Sequence, residues 1–318
     1  MSAGEPLIAR NDEIAGLLQR LGGGLPAVHP LAEPRWLDIL GRAYGAERVL
    51  FAARDAEGRS LGQLPTYYSR RGGSLFGLRY GLAAGDAAAA GDLLAAARRF
   101  AAGAGLSRLD IGLARAGRPP GAGALTAAAG FHFDLAGCAA AEAVSSLLSR
   151  HGRRALRTAE AAGQEIRGGP DQLSAAYAIY AGAMREKGVR VHSRAFVEAV
   201  AAAFGADFVP LVAFDGGQPV AATFLLLGRD VGLYLYGGGT PRGLQLQSGS
   251  LLYAEMMRHC IARGRTTFDA GESSPGGGTF EFKRRLGARQ VAIAYLREAV
   301  APPPGLAGRL ARAARRAG

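Results

Sequence analysis

The chain has 318 residues, of which 49% are hydrophobic and 20% are charged, and it contains no run of about 18 apolar residues such as a transmembrane helix needs. Its formal net charge is +12 and lysine occurs only at Lys187 and Lys283; this arginine-rich excess is compatible with a polyanionic partner. Two cysteines exclude a disulfide framework, and residues 1–13 lack the features of a secretory signal. We therefore expect a cytoplasmic globular protein without a metal site.

The first half of the chain predicts two helices followed by a three-strand meander. Apolar residues recur at helical spacing in residues 11–21 and 33–40. Short apolar runs bounded by turn residues then predict strands. The elements predicted after the two helices are strands at 48–54, 61–68 and 74–80, a helix at 92–102, a strand at 108–113, a short helix at 122–129 and a strand at 131–135.

The second half repeats this order after a basic segment at 150–157. Two helices begin near Pro170 and Ser193, which are residues typical of helix starts. The elements predicted after them are strands at 208–214, 220–227 and 231–236, a helix at 250–263, a strand at 266–270, a short helix at 279–286 and a strand at 290–296.

An order that occurs twice, with little sequence identity between the copies, indicates a duplicated α+β domain. We expect domains at residues 1–140 and 141–298, each a mixed, mostly antiparallel sheet flanked by helices. Residues 299–318 form a basic tail, which is either solvated or in contact with an anionic membrane or RNA.

The sequence has no G-x-S-x-G, G-x-x-x-x-G-K-[ST], H-E-x-x-H or dinucleotide-binding pattern, which removes the basis for a hydrolase triad or a nucleotide-hydrolysing site.

One segment has a specific pattern: residues 268–287 read FDAGESSPGGGTFEFKRRLG. It resembles the FemAB-like branch of the GNAT acyltransferase superfamily, where F-D-F-G-R-S is followed by a glycine-containing spacer and G-T-Y-x-F-K-x-x-W-G. Weaker similarities at 153–159, at 184–188 and around His29-Pro30 extend the resemblance over about residues 29–297. The nearest group is the exosortase-associated FemAB-related proteins. The resemblance implies two tandem GNAT-like domains and acyl or aminoacyl transfer.

The segment departs from the family pattern at three positions. Glu272 stands where the family usually has arginine, Phe280 replaces tyrosine and Leu286 replaces tryptophan. The first change reverses the charge at a position that would contact the substrate, and the second removes a hydroxyl proton donor. Glu272 is nevertheless predicted to bind the substrate.

Three residues are predicted to carry the chemistry. Asp269, at the end of a strand, either caps the following turn or accepts a proton from an attacking amine. Tyr236 is either a proton donor to a leaving thiolate or a core tyrosine. Lys283 on the short helix meets a phosphate or carboxylate, or else is a solvated surface lysine.

The predicted donor site lies at the start of the helix after the third strand of the second half. Free N–H groups at a helix start, together with the helix dipole, bind anions such as the pyrophosphate of coenzyme A. A serine N-cap is the alternative use of the same residues. The residues assigned to the donor are Gln247, Ser248, Gly249 and Ser250, with Ser273, Gly278 and Thr279 in the following glycine-rich segment.

Arginines lie at i, i+3, i+4 and i+7 in the basic segment, which places them on one helical face. Arg153, Arg154 and Arg157 are accordingly predicted to bind phosphates of a nucleotide-linked amine acceptor or of tRNA. A solvated face is the alternative.

The predicted function is transfer of an acyl group from acyl-CoA to an amine of a small molecule or a cell-envelope or exopolysaccharide precursor, by direct attack at a site in the C-terminal half. The usual GNAT phosphate-loop pattern R/Q-x-x-G-x-G/A is absent, so aminoacyl-tRNA remains an alternative donor. The sequence is also compatible with a catalytically silent precursor-binding protein or with a basic RNA-binding module.

Overall fold

The computed structural model describes residues 5–20, 29–69, 71–113, 125–138 and 143–301, which form two compact units. The first unit contains residues 5–20, 31–69, 71–113, 125–127 and 293–301. The second unit contains residues 29–30, 128–138 and 143–292. The predicted domain boundary near residue 140 stays a prediction, and the tail from residue 302 onward lies outside the described residues.

The elements up to residue 113 begin with an edge strand that precedes the two predicted helices. They are β1 (Leu7–Arg10), α1 (Glu13–Arg20), α2 (Arg35–Tyr44), β2 (Glu47–Arg54), β3 (Ser60–Tyr68), β4 (Ser74–Gly77), β5 (Ala83–Ala84), α3 (Ala87–Gly103) and β6 (Arg108–Leu113). Helix α3 begins before the predicted residue 92 because the Asp86 side chain accepts a hydrogen bond from the Ala89 amide and caps it there.

The elements from residue 125 onward contain the repeated order. They are β7 (Leu125–Asp134), α4 (Val144–Leu147), α5 (Arg150–Ala161), β8 (Glu165–Gly168), α6 (Leu173–Glu186), α7 (Arg194–Phe204), β9 (Phe208–Asp215), β10 (Gln218–Leu227), β11 (Val231–Gly239), α8 (Pro241–Gln245), α9 (Ser248–Ala262), β12 (Thr267–Ser273), α10 (Gly278–Leu286) and β13 (Arg289–Ala299).

Each unit has a mixed, mostly antiparallel sheet with helices against it, so the predicted α+β class is confirmed. Among the described strands of the first unit the order is β1-β2-β3-β4-β6-β13, and of these only β4 and β6 pair in parallel. Among those of the second unit the order is β7-β12-β11-β10-β9-β8, and of these only β11 and β12 pair in parallel.

The last strand of each half belongs to the sheet of the other unit. Strand β7, at the end of the first half, pairs with β12 in the second unit. Strand β13, at the end of the second half, pairs with β6 in the first unit. This exchange explains why both units are discontinuous in the chain.

The predicted short helix at 122–129 is wrong for residues 125–129, which belong to strand β7. Alanine favours a helix locally, but the alternating Phe131 and Phe133 bury their rings in the core of the second unit. Pairing of Ala129 with Ser273 continues the strand toward its start, so sheet pairing overrides local propensity. Residues 122–124 lie outside the described residues.

Helix α5 is held against α10 at a close junction. The Ser149 amide donates to the Leu286 carbonyl at 3.0 Å, and the Ser149 hydroxyl donates to the Arg285 carbonyl. Across this junction, a Cβ atom on Gly152 would lie 2.5 Å from the Leu286 oxygen. The first turn of α5 therefore requires glycine at position 152.

In the described part of the chain, no helix combines the length and the apolar character needed to cross a bilayer.

We expect Gly152→Ala to lower the free energy of unfolding by about 1–3 kcal/mol, because the new methyl group meets a fixed backbone oxygen. Gly182→Ala in α6 is the matched control, since its Cβ would have no atom within 4 Å. The control should gain about 0.5–1 kcal/mol through helix propensity. Urea denaturation measures both, and equal effects of the two substitutions would contradict the close junction.

Candidate active site

Strands β11 and β12 separate in the middle of the second unit. They pair in parallel over three positions, the last of which joins Leu233 to Asp269. Beyond this point β11 continues to Gly239 along β10, and β12 continues to Ser273 along β7. The backbone of Tyr234 to Tyr236 therefore faces an opening between the strands instead of a paired neighbour.

Each of the two diverging strands carries one extra residue at the opening. In β11, Phe224 of β10 pairs with Tyr236 while Leu225 pairs with Tyr234, so Leu235 is the inserted residue. In β12, the register with β7 shifts between Asp269 and Glu272. Such bulges bend a strand and redirect its side chains, and here they accompany the divergence.

Gly271 forms the bulge of β12 and is fixed from both sides. Its φ of +77° is accessible to glycine at little cost. The Gly271 amide donates to Asp269 Oδ1 at 2.7 Å, and its carbonyl accepts from Lys283 Nζ at 3.2 Å. The Glu272 carbonyl accepts a second hydrogen bond from Lys283, at 3.0 Å. One buried carboxylate and one buried ammonium group thus hold the backbone at the opening.

Lys283 is buried, with 1% of its surface exposed, which contradicts the surface-lysine alternative. Its ammonium lies 5.7 Å from the ring centroids of both Phe131 and Tyr234, a geometry that favours a cation over an aromatic face. Because its ammonium already donates to two carbonyls, Lys283 acts on the opening through the β12 backbone. A direct contact with a phosphate or carboxylate stays a prediction.

Asp269 is also 1% exposed and has two imidazoles beside it. His29 Nε2 lies 3.0 Å and His132 Nε2 lies 3.5 Å from Asp269 Oδ2. Burial alone raises the pKa of Asp269, but the side-chain hydrogen bonds of His132 and His29 outweigh it, and the pKa falls well below its ordinary value. Asp269 is therefore ionised at neutral pH, and its contact with the Gly271 amide agrees with the turn-capping alternative.

The tyrosines at the opening contact different helices. Tyr236 is half-buried among residues of α6 and α7, with its ring centroid 4.7 Å from His192 and 5.6 Å from Tyr180. Tyr234 packs against Tyr253 of α9 at 5.3 Å. Burial raises the pKa of both Tyr234 and Tyr253 far above the ordinary value, so both keep their hydroxyl protons at neutral pH.

Helix α9 begins without a side-chain cap. Gln247, which precedes it, has a left-handed backbone and makes no side-chain cap hydrogen bond. The hydroxyl of Ser248 is engaged with the amide oxygen of Gln164, and Ser250 is buried. Neither serine side chain therefore serves as the N-cap, whereas Gly249 is partly exposed beside Phe282 of α10.

The remaining predicted donor residues lie between β12 and the start of α10. Ser273 ends β12, and its hydroxyl donates to the Glu272 carbonyl at 2.7 Å. Gly278 and Thr279 are exposed in the first turn of α10, which has no side-chain cap at Gly277. Glu272 is partly exposed next to the bulge.

The predicted arginine face lies on α5 as expected, but its members differ. Arg153 is half-buried and donates to the Leu148 carbonyl at 2.6 Å. Arg154 and Arg157 are exposed, as is Arg150. The exposed guanidinium groups form a basic surface on the outer side of the second unit.

Sequence reasoning did not find His132 and used His29 only as part of an N-terminal similarity. His132 lies between the buried Phe131 and Phe133, so alternation places it on the opposite face of β7. A histidine that alternates with aromatic residues in a strand is only a weak indication of a functional site. The pairing with Asp269 depends on strand exchange, which local patterns do not reveal.

Residues 148–284 match the family model described as an acetyltransferase (GNAT) domain. The matched residues lie within the second unit. The match spans the diverging strands, α9, and α10 through Lys283. No curated protein matches the chain.

Solved structures share the fold along nearly the whole chain. FemX is similar with a TM-score of 0.64 and 12% identity, over 91% of this chain and 97% of that chain. A tandem GNAT protein from the clavulanic acid biosynthesis pathway has a TM-score of 0.58 and 12% identity, over 94% of this chain and 99% of that one. L-PGS from Bacillus licheniformis has a TM-score of 0.55 and 13% identity, over 96% of each chain.

At these identities the likeness shows the fold alone. Together with the match to the GNAT model, it confirms the resemblance to FemAB-like GNAT proteins and the predicted tandem GNAT-like architecture. The substrates must therefore be inferred from the site residues of this chain and not from its fold.

We expect Asp269→Asn to lower the free energy of unfolding by about 3 kcal/mol at pH 7, because the substitution removes the charge that faces two buried imidazoles. The folded-state pKa is lowered, so the wild-type advantage is complete above about pH 4 and shrinks as the pH falls further. Denaturation at several pH values measures this. Asp230→Asn, at a partly exposed carboxylate that pairs with Arg229, serves as the control, with an expected change under about 1 kcal/mol. Equal stability of both variants at pH 7 would refute the role of Asp269.

Proposed function

We propose that the protein is an N-acyltransferase that moves an acyl group from acyl-CoA to an amine of a small molecule or a cell-envelope or exopolysaccharide precursor. The observation that carries this proposal is the opening between β11 and β12 next to the uncapped start of α9. An extended acyl-pantetheine arm fits such an opening, because the unpaired strand offers it backbone hydrogen bonds.

The second unit supports donor binding better than the first. In the first unit, the corresponding helix is α3, which follows β4 and β5, and the carboxylate of Asp86 already occupies its start. At Gly77, where β4 ends, an added Cβ atom would lie 2.8 Å from the Ile111 side chain. The Ile111 side chain therefore occupies the space beside the end of β4. In the second unit the start of α9 is free of acidic caps, and an anion is favoured there by the N–H groups and the helix dipole.

The chemistry would be direct attack of the amine on the acyl carbonyl. The new C–N bond forms, the bond from the acyl carbon to the leaving sulfur breaks, and one amine proton must be taken up. Backbone N–H groups of residues 234–236 would stabilise the negative charge on the carbonyl oxygen. Tyr236, and the protonated Tyr253 beside the opening, would donate to the leaving thiolate.

Isothermal titration with coenzyme A and with acetyl-CoA tests the donor site. We expect micromolar binding to the wild type and at least tenfold weaker binding to Gly249→Asp, because the added carboxylate repels phosphate at the start of α9 while it supports the helix itself.

Gly249→Ala is the matched control, since its Cβ would be in ordinary contact with Phe282 at 3.6 Å, and it should bind as the wild type does. If the wild type fails to bind at millimolar ligand, the acyl-CoA donor is ruled out. If Gly249→Asp binds normally, the donor lies elsewhere.

An aminoacyl-tRNA donor is the second candidate, and the exposed arginines of α5 favour it. Arg150, Arg154 and Arg157 present three guanidinium groups on one helix, and such groups pair with backbone phosphates. FemX shares the fold of this chain, and the resemblance to FemAB-like proteins implies aminoacyl transfer as an alternative to acyl transfer.

We expect Arg154→Glu/Arg157→Glu to weaken the binding of an aminoacyl-tRNA at least tenfold and to lower its salt dependence if tRNA is the donor. Filter binding at several salt concentrations measures this. Arg194→Glu/Arg229→Glu, at two exposed arginines away from α5, makes the same change in overall charge and is the control. Unchanged tRNA binding, or binding changed equally by the control, would argue against tRNA. Stoichiometric binding of an amine precursor without turnover of either donor would instead indicate a silent binding protein.

A further inference from the structure

The start of α9 is held from outside the helix by the side chain of one glutamine. Gln164 lies between α5 and β8, directly after Gly163, whose φ of +67° turns the chain at the end of α5. Its Nε2 group donates to the Ala159 carbonyl at 3.2 Å and to the Leu246 carbonyl at 3.0 Å. Its Oε1 accepts from the Ser248 hydroxyl. Both N–H bonds and the carbonyl of this amide are therefore used within the protein.

These contacts fix the residues on either side of Gln247. The φ of Gln247 is +57°, a left-handed conformation that a residue other than glycine adopts only at a cost in free energy. The carbonyl of Leu246, which precedes it, and the hydroxyl of Ser248, which follows it, are both bound by the Gln164 amide. The Gln164 side chain therefore offsets the cost of the left-handed residue.

The conformation of Gln247 decides which groups are available at the start of α9. Its carbonyl accepts from the Ser250 amide at 2.9 Å, so that amide is occupied. The first amides of the helix, at Ser248 and Gly249, precede the intrahelical bonds. Ser248 is buried with its hydroxyl directed to Gln164, whereas Gly249 is partly exposed. The Gly249 amide is therefore the group at this helix start that an external anion can reach.

We propose that Gln164 is a positioning residue for the acyl-CoA donor: by holding Gln247 in its left-handed conformation, it keeps the Gly249 amide open to the pyrophosphate of coenzyme A. This inference rests on the proposed function, in which the start of α9 binds the donor phosphates. Gln164 acts through the backbone of residues 246–248, because its own amide is engaged with protein groups.

The contacts of Gln164 also indicate which part of the donor depends on it. Its three side-chain partners lie at the end of α5, directly before α9 and in the first residue of α9, and none of the three belongs to β11 or β12. The opening between those strands, where the pantetheine arm would lie, is held by other residues. Loss of Gln164 is therefore expected to weaken binding of the phosphates and to leave binding of pantetheine unchanged.

Isothermal titration of the full chain with coenzyme A and with pantetheine, which lacks the phosphates, tests this role. We expect Gln164→Met to bind coenzyme A about tenfold more weakly than the wild type does, because methionine has a similar length but makes no strong hydrogen bond. Pantetheine binding should not change. Gln218→Met is the matched control, since Gln218 is exposed at the first position of β10, and it should bind both compounds as the wild type does.

A second substitution tests the route through Gln247. Glycine adopts the left-handed conformation at little cost, so it needs less support from Gln164. We therefore expect Gln164→Met/Gln247→Gly to recover coenzyme A binding to within about threefold of the wild type.

Three results would overturn the proposal and leave the acyl-CoA donor intact. They are coenzyme A binding of wild-type strength by Gln164→Met, equal weakening of coenzyme A and pantetheine binding, and no recovery in the double variant. The second of these would mean that Gln164 supports the fold as a whole. Failure of the wild type to bind coenzyme A at millimolar ligand would instead refute the proposed function, and this inference with it.

Discussion

The Gly271 peptide is the constraint on which the arrangement of the second unit depends. Its amide is held by the Asp269 carboxylate, and its carbonyl is held by the Lys283 ammonium. The two charged side chains therefore hold the two peptide units that flank the Gly271 Cα, one at its N–H and the other at its carbonyl, through charge-assisted hydrogen bonds. The left-handed φ of Gly271 lies between them, just beyond the last residue of β12 that pairs with β11.

Burying two full charges is expensive unless each has several partners. The ammonium group meets this requirement with two carbonyls and two aromatic faces, and the carboxylate meets it with a backbone amide and two imidazoles. These partners come from β7, β11, β12 and the segment at residue 29, which are far apart in sequence. The opening is therefore built by the tertiary fold and not by any local segment.

This origin explains what the sequence could and could not predict. Periodicity and turn residues identified most strands and helices, because burial on one face is a local pattern, and the 268–287 motif overlaps the end of the segment that matches the GNAT model. The burial of Lys283 was unpredictable because a lysine on a short helix is ordinarily solvated. His132 was missed because β7 joins β12 only through strand exchange, and Ala-rich residues 125–129 gave a helical signal that the sheet overrides.

The two units differ in a few residues at the start of the helix that precedes the last paired strands. Asp86 at the start of α3 supplies the anion that an open helix start would otherwise bind, and Ile111 packs where β4 ends. At the start of α9 the residue before the helix is Gln247 in a left-handed conformation, and the serines that follow are turned inward. A carboxylate cap stabilises a helix by the same interaction that draws phosphate to it. Under the proposed function, the cap that stabilises α3 therefore excludes donor binding there, and α9, which lacks a side-chain cap, keeps its start available to a ligand.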